Sequence, residues 1–534
     1  MFVDGRTMPD GHSVEADLCI VGAGPAGMAL ALEFADRPNV RVALLETGGL
    51  DFDLADQDLA DADVVGHEYF PVRETRIRMF GGSTISWGGI LSPLDPIDFE
   101  DRPWVPNSGW PFGHDELDPY YERSYPLCEV DVSHEGSTVD EIGGSAANSS
   151  LAADMEWAPI HFSPPTRFGR TYARRFESSK NISTYLHTTA TDIRLTANRG
   201  LVDGIEAATA AGNRFVIKAR HFVLAGGGIE NARLLLTSRD AQPDGIGNSH
   251  DVVGRFFQEH PRAINRYQLP DEMGELGDRV IGAAGTLRFS RLGLTDEVQR
   301  REQLLNFIVN LSFGHAGQET PQFEAARRIV NASRSPWSDS PYYQDTGGGP
   351  NRVRWQDVKT CLMRPDRTVQ SLVGAAIRPV RMRRWLQINC SVEQEPRPEN
   401  RIVLTNERDR FGIPKPLLAW TLDGAEERTY RRGMELTLEA LETYAPGISR
   451  GRFDDPDPWP DDAIGTWHHA GTTRMDTDPA RGVVDADCKV HGIDNLFVSG
   501  SSVFPTSGAT APTLTILAIS LRLADHLAPL LTRG

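Results

Sequence analysis

Two adjacent histidines, His468 and His469, stand in "TWHHAGTTRM" (466–475), behind a tryptophan and ahead of a run rich in glycine and hydroxyl groups. Residues of this type could move a proton, hold a metal or simply pack. A shared metal is disfavoured by geometry, because adjacent residues rarely aim at one ion and no ligand cluster accompanies them. A neutral imidazole, with an unperturbed pKa near ~6.5, is available as a base at neutral pH. A positioned base contributes roughly 10²–10⁴-fold to a rate.

Gly22, Gly24 and Gly27 form GxGxxG directly after the apolar run "LCIV". In this pattern the first glycine permits the tight turn, the second lets backbone approach a pyrophosphate, and the third lets helix and strand pack closely. The diphosphate would sit on the helix N-terminus, where free N–H groups and the helix dipole favour negative charge. Glu46 ends the next apolar run about 20 residues on, where a ribose hydroxyl needs an acceptor. No arginine follows Glu46 to receive a 2′-phosphate, which disfavours NADP.

Two further glycine-rich turns follow. "MFGGSTISWGG" (79–89) offers Gly82, Ser83, Thr84, Ser86 and Trp87, and could run along a cofactor's diphosphate or ring. "LAGGGIENARLLL" places Ala225 and Gly226 at another strand-to-helix turn, which could serve an adenosine or be only a sharp bend.

The elements that must position these groups are legible at both ends of the chain. Residues 17–21, 25–35 and 41–46 read as strand, helix and strand, a βαβ unit with the glycines at its first turn. Short alternating strands are expected over 182–219, and strand–turn–helix recurs at "HFVLAGGGIENARLLLTS" and at "NLFVSGSSVFPTSGATAPTLTILAISLRLADHL". Between them, "LSPLDPIDFEDRPWVPNSGWPFGHDELDPYY" carries prolines at a spacing that forbids long helix, so it reads as extended chain wrapped on a surface, with a domain crossing as the other reading. Residues 260–454 are less regular, and their basic stretch "AAIRPVRMRRWLQIN" reads as an amphipathic strand or helix with a solvated face.

Nucleotide-type units at the start, middle and end imply a discontinuous cofactor domain interrupted by a second domain. A length of 534 residues also exceeds what one hydrophobic core normally serves. The expected cofactor domain spans 1–95, 180–260 and 455–534, and the expected substrate domain spans 96–179 and 261–454.

The chain is 40% hydrophobic and 24% charged, as ordinary globular proteins are. A formal net charge of −19 argues against nucleic acid and anionic membranes as partners. A cationic substrate would suit that field, although a solvated acidic surface is the plainer reading. Five scattered cysteines without CxxC spacing fit a reducing compartment and supply neither a disulfide framework nor a zinc site. The N-terminal residues lack the basic and apolar regions of a secretory signal. No uninterrupted apolar run of about 18 residues occurs, so no membrane span is expected. The expectation is a cytoplasmic, soluble protein, with homo-oligomerisation left open.

The C-terminal block is the most specific. "WHHAGTTRM", "NLFVSGSSVFPTSG" and "PTLTI" occur together, and with the two ends of the chain and the Ala225 segment they resemble the glucose–methanol–choline (GMC) oxidoreductases. The similarity is strongest to the sugar-oxidising branch of pyranose oxidases and glycoside 3-oxidases, including C-glycoside oxidases. It implies an α/β, Rossmann-like FAD-binding domain with a second α+β substrate domain built on an antiparallel sheet. It also implies that His468 is the base, taking a hydroxyl proton as hydride passes to flavin N5. His469 is then a neighbour with a smaller role, and Ser501, Ser502 and Thr513 join the cofactor set.

Two departures stand out. The family has a second histidine or asparagine just before "PTLT", where this chain has Ala511. A hydrogen bond to a developing charge is worth about 1.5–3 kcal/mol, so either another group replaces it, with Thr510 and His469 near in sequence, or the enzyme works on a different geometry. Pyranose oxidases that attach FAD covalently use a histidine where this chain has Ser86, so non-covalent FAD is expected. The reading is FAD-dependent oxidation of a secondary hydroxyl, at C3 or C2 of a sugar or glycoside, with O2 or another electron acceptor as second substrate. Alternatives are a quinone-linked dehydrogenase of an amino sugar or polyol, and a non-redox FAD-containing lyase.

Overall fold

The computed structural model describes residues 1–132, 154–164, 166–268, 290–315, 355–369, 383–442 and 465–532, with a few isolated positions between them. Its centre is a six-stranded, wholly parallel sheet. The strands run in the order Phe2–Asp4, Ile182–Leu186, Val42–Leu45, Leu18–Val21, His221–Leu224 and Leu496–Val498. Its segments "LCIV", "VALL" and "FVL", with "LFV" at the edge, are continuous apolar runs rather than alternating ones. That is the pattern of strands covered on both faces, and their side chains are almost wholly buried.

The helix Pro25–Glu33 follows the first glycine turn, with proline at its start where a missing N–H costs nothing. It packs against the C-terminal helix Thr513–Thr532, which also packs on Asp118–Leu127. By length and composition alone Thr513–Thr532 could cross a membrane, a property that a search for uninterrupted apolar runs passes over. Its leucines and isoleucines instead join the main core.

The remaining sheets are smaller or antiparallel. A five-stranded antiparallel sheet orders Arg262–Gln268, Arg383–Val392, Phe307–His315, Ser290–Leu294 and Met155–Pro159. The helix Gly424–Glu442 packs on it, and a second apolar core forms there. The architecture is therefore α/β with an additional α+β region on an antiparallel sheet, as expected. The basic stretch ends in the strand Arg383–Val392, while residues 370–382 lie outside the described residues.

The proline-rich segment corrects the expectation of a surface wrap. Leu94, Ile97, Phe99 and Trp110 are buried, and the short 3₁₀ turns Pro96–Phe99 and His114–Glu116 fit between prolines that exclude longer helix. Arg102 is fully buried and donates to both oxygens of Glu393, at 2.8 and 2.5 Å. A buried pair adds little net stability against its desolvation. What it does is pin this segment to the end of the antiparallel sheet.

Candidate functional site

The strand register puts the cofactor turns in one row. Val21 lies opposite Leu45 and Leu224, and Leu224 lies opposite Val498, so Gly22, Glu46, Ala225 and Ser499 all leave the same edge of the sheet. The chain leaving Leu18–Val21 passes to Val42–Leu45 on one side, while the chain leaving the adjacent His221–Leu224 leads on to Leu496–Val498 on the other. The strand order thus reverses between them, at the topological switch point where doubly wound sheets bind ligands. A cavity of about 450 Å³ opens there.

Part of its wall is glycine backbone. At Gly24, Gly88 and Gly227 an added Cβ would meet nothing within 4 Å, so each leaves room at the cavity for a ligand to approach the main chain. Gly22 has φ +108°, which favours glycine, and its Cβ would lie 2.6 Å from the Ala225 carbonyl oxygen. Gly82 presses the serine-rich loop onto Gly24, where a Cβ would come within 2.8 Å of the Gly24 Cα. Gly27 does not line the cavity. Its Cβ would stand 1.9 Å from the Gly22 carbonyl oxygen, so it serves the helix–strand packing expected of a third glycine. These open glycine faces beside a helix N-terminus fit the diphosphate of a dinucleotide.

Glu46 is buried and lines the cavity. One oxygen accepts from the Gly48 N–H at 2.9 Å and the other from the Ala23 N–H at 3.0 Å, leaving lone pairs for a ribose hydroxyl. Burial pushes its carboxyl above the usual range against the pull of these two donors. An arginine does reach this corner, from elsewhere in the sequence. Arg78 donates to Thr47 Oγ1 at 3.2 Å and pairs with Glu230, as does Arg76. Burial disfavours the charged form of Glu230, but Arg78, Arg76 and Arg233 together hold its pKa at about 2.

Other expected residues divide between the cavity wall and its support. Ser83, Thr84, Ser86, Trp87, Ala225, Gly226, Ser501 and Thr513 line the cavity. The Thr84 hydroxyl donates to the Gly81 carbonyl and the Trp87 indole to the Thr166 carbonyl, so both brace the loop. Ser502 does not line the cavity: it is fully buried and accepts from Asn231 Nδ2 at 2.9 Å, tying the C-terminal turn to the helix after Ala225. The turn Ser501–Val503 is 3₁₀, so successive side chains step about 120° around its axis and Ser501 and Ser502 face different groups.

The histidines lie at the other side of the same cavity. The peptide groups of Gln258 and Ala470 exchange two hydrogen bonds in antiparallel fashion, each 3.0 Å. Two residues on from Gln258 and two back from Ala470, that direction brings His260 opposite His468, with Nδ1 to Nδ1 at 3.0 Å. Thr466 Oγ1 is 2.9 Å from the same His468 nitrogen. Among the described residues no protein group is bonded to His468 Nε2, and the half-buried ring lines the cavity.

Glu259 ties the loop together. It is fully buried and accepts from the N–H groups of Thr466, His468 and His260 at 2.9, 3.0 and 3.1 Å, and from the Tyr69 hydroxyl. The His469 ring turns away from His468, with Nε2 3.0 Å from the Tyr69 hydroxyl and its face against Phe257. Gly228, the last glycine of "AGGG", is needed here, since a Cβ would lie 2.6 Å from the His469 carbonyl oxygen. Trp467, between the two loops, holds φ +67°, a costly conformation for a bulky residue, and rests edge-on against Phe70.

Burial drives the electrostatics. It lowers His468 well below the ordinary histidine value, with His260, His469 and Arg262 adding to the effect. It lowers His260 to about 4 and His469 to about 3. All three rings are neutral at neutral pH, so a ring nitrogen facing the cavity can accept a proton. Of the two candidates to replace the residue missing at Ala511, Thr510 is buried and does not line the cavity, whereas His469 lines it with its Nε2 against the Tyr69 hydroxyl. No cluster of three or more metal-type ligands occurs among the described residues.

Sequence reasoning missed Glu259, His260, Tyr69, Thr466, Arg76 and Arg78. Thr466 begins the motif it serves, and the two arginines immediately precede the glycine loop. Glu259, His260 and Tyr69 carry no local signal, because they reach the site from hundreds of residues away.

Comparison with known proteins agrees with this geometry. Residues 396–520 match the C-terminal family model described as GMC oxidoreductase. The chain is 25% identical to paromamine 6′-oxidase of Streptomyces fradiae over 96% of its length and 91% of that protein. A shorter segment, 23% of both chains, is 33% identical to C-glycoside 3-oxidase of Microbacterium trichothecenolyticum. Among solved structures, formate oxidase of Aspergillus oryzae RIB40 superposes with a TM-score of 0.55 at 18% identity, covering 98% of this chain and 99% of that one.

Proposed function

The chain is a GMC oxidoreductase that oxidises a CH–OH group with FAD, and on that premise we propose that its donor is a sugar or glycoside whose hydroxyl proton passes to His468 Nε2. One observation carries the reading: among the described residues that nitrogen has no protein partner, and it belongs to a neutral imidazole in the wall of the cavity. When bound, FAD supplies the hydride acceptor that side chains lack.

The chain's own residues do the rest. Gly24, Gly88 and Gly227 give the diphosphate room to meet backbone, and Glu46 accepts from a ribose hydroxyl. Glu259 holds the histidine loop by its peptide groups, which keeps the base at a fixed depth in the cavity. Cofactor attachment is non-covalent in this reading, since the serine loop presents Ser86 where a histidine would be needed. O2 or another electron acceptor is the second substrate. The cofactor domain comprises 1–95, 180–260 and 455–534, and the substrate domain comprises 96–179 and 261–454, in a cytoplasmic protein.

The oxidised group in this reading is a secondary hydroxyl at C3 or C2, supported by the similarity to a C-glycoside 3-oxidase. An amino-sugar donor is the second reading. It is supported by the near full-length similarity to paromamine 6′-oxidase and by a net charge of −19, which attracts cationic substrates. Anaerobic mixing of the holoprotein with pyranoses, C-glycosides and paromamine separates these, read as loss of the flavin band at roughly 450 nm. Bleaching by neutral glycosides with a keto-sugar product supports the first reading; bleaching by paromamine alone supports the second. An intact flavin that no sugar or alcohol bleaches sinks both.

A further inference from the structure

We propose that His260 is a positioning residue that decides which nitrogen of His468 carries the proton, through a hydrogen-bond relay anchored on the Ser507 carbonyl. The proposal rests on His468 acting as the base. A histidine's tautomer is set by the hydrogen bond its other nitrogen makes, and here three groups in series leave one consistent assignment.

The relay starts at a group that can only accept. The Ser507 carbonyl oxygen lies 3.2 Å from His260 Nε2, so that nitrogen carries a hydrogen and donates it. Ser507 is itself held, because its N–H donates to the Gln258 side-chain oxygen at 3.0 Å while Gln258 Nε2 donates to the Pro505 carbonyl at 3.0 Å. His260 is buried and neutral, so its single ring proton is used and its Nδ1 presents a lone pair. That lone pair faces His468 Nδ1 at 3.0 Å. Two lone pairs at this distance repel, so His468 Nδ1 must carry the hydrogen. A neutral imidazole has only one, and His468 Nε2 is therefore left bare toward the cavity.

Thr466 agrees with this assignment. Its Oγ1 can direct its own proton to Glu259 Oε2 at 3.3 Å and so offers an oxygen lone pair to the His468 Nδ1–H at 2.9 Å. The opposite tautomer of His468 would set lone pairs against each other at His260 or at the Ser507 carbonyl. It would also leave a proton on Nε2, where a substrate proton must arrive. The relay does not supply the donor missing at Ala511; it prepares the acceptor.

The test combines tautomer and rate. In ¹⁵N-histidine-labelled holoprotein, the His468 resonances are those lost in His468→Ala. The wild type should show Nδ1 protonated and Nε2 bare. His260→Phe keeps a ring but no acceptor, and should move the His468 proton toward Nε2 while FAD content is retained. Anaerobic flavin reduction should then slow by roughly 10–100-fold. His260→Asn, whose amide oxygen can accept where Nδ1 does, should restore the wild-type tautomer and recover the rate to within several-fold.

A wild-type protein with its proton on His468 Nε2 overturns the proposal even if neither His260 variant folds. So does equal loss of rate in His260→Phe and His260→Asn. Undiminished reduction in His468→Ala instead removes the base reading on which the relay depends. An inactive His468→Ala together with a fully active His260→Phe removes the relay alone.

Discussion

The cradle at the strand ends and the histidine loop face one another across a single cavity, yet they are built by opposite means. In the cradle the surface offered to ligand is main chain, made available by side chains that are absent at Gly24, Gly88 and Gly227. In the loop it is side chains, held by a buried carboxylate and a second imidazole contributed from residues 259–260. The cradle needs only local sequence and correct strand register. The loop needs partners that the chain brings together late. Backbone sites should therefore fail by losing cofactor or fold, and side-chain sites by losing chemistry.

The largest effect expected is at Gly27. Gly27→Ala puts a Cβ 1.9 Å from the Gly22 oxygen, which no side-chain adjustment relieves, and should yield no soluble FAD-loaded protein on expression and cofactor assay. His468→Ala should keep FAD and slow anaerobic flavin reduction by roughly 10²–10⁴-fold. His469→Ala should slow it less, because that ring bonds Tyr69 rather than facing the reacting group. The reverse ranking would show that the wrong histidine has been placed at the chemistry.

Gly24→Ala sharpens the contrast in the cradle. Its added methyl meets no protein atom, so the apoprotein should melt at the wild-type temperature while FAD titration shows weaker binding. Tyr69→Phe is its counterpart in the loop. Removing a donor from buried Glu259 should cost about 1–3 kcal/mol of stability, read as a lower melting temperature, with most of the turnover retained.

The smallest effect near neutrality, growing with acidity, comes from pH. His260 and His469 have folded pKa values of about 4 and about 3, below the unfolded value of 6.5. The unfolded state therefore binds protons first, and stability is fully present above about pH 6.5 and lost as pH falls toward 4 and 3. His260 alone accounts for roughly 3 kcal/mol over that window. Flavin reduction should be flat across neutral pH, since His468 stays neutral there. A rate that titrates at the ordinary histidine value would break the picture of a buried, dry loop.

The fold was legible where one local pattern does one job. GxGxxG after "LCIV", with Glu46 closing the next apolar run, defines a βαβ unit because each glycine answers a steric demand within a few residues. The proline-rich stretch misled for the complementary reason. Proline spacing excludes helix, but it does not say whether extended chain lies inside or outside; buried Phe99 and the Arg102–Glu393 pair decided that. The motif string likewise does not record that successive side chains of the 3₁₀ turn Ser501–Val503 point in different directions.

The amino-acid sequence by itself determined the cofactor class, the strand–turn–helix units and the histidine pair, because glycine placement and apolar runs act over short range. Only the tertiary structure decided that both histidines line one cavity while the His469 Nε2 is taken up by Tyr69, that His260 stands behind His468, and that Glu259 gathers three peptide groups around it. Those outcomes depend on the antiparallel meeting of residues 258–260 with 468–470. More than two hundred residues separate those strands, and hydrogen-bond direction and burial act only once the chain has closed that gap.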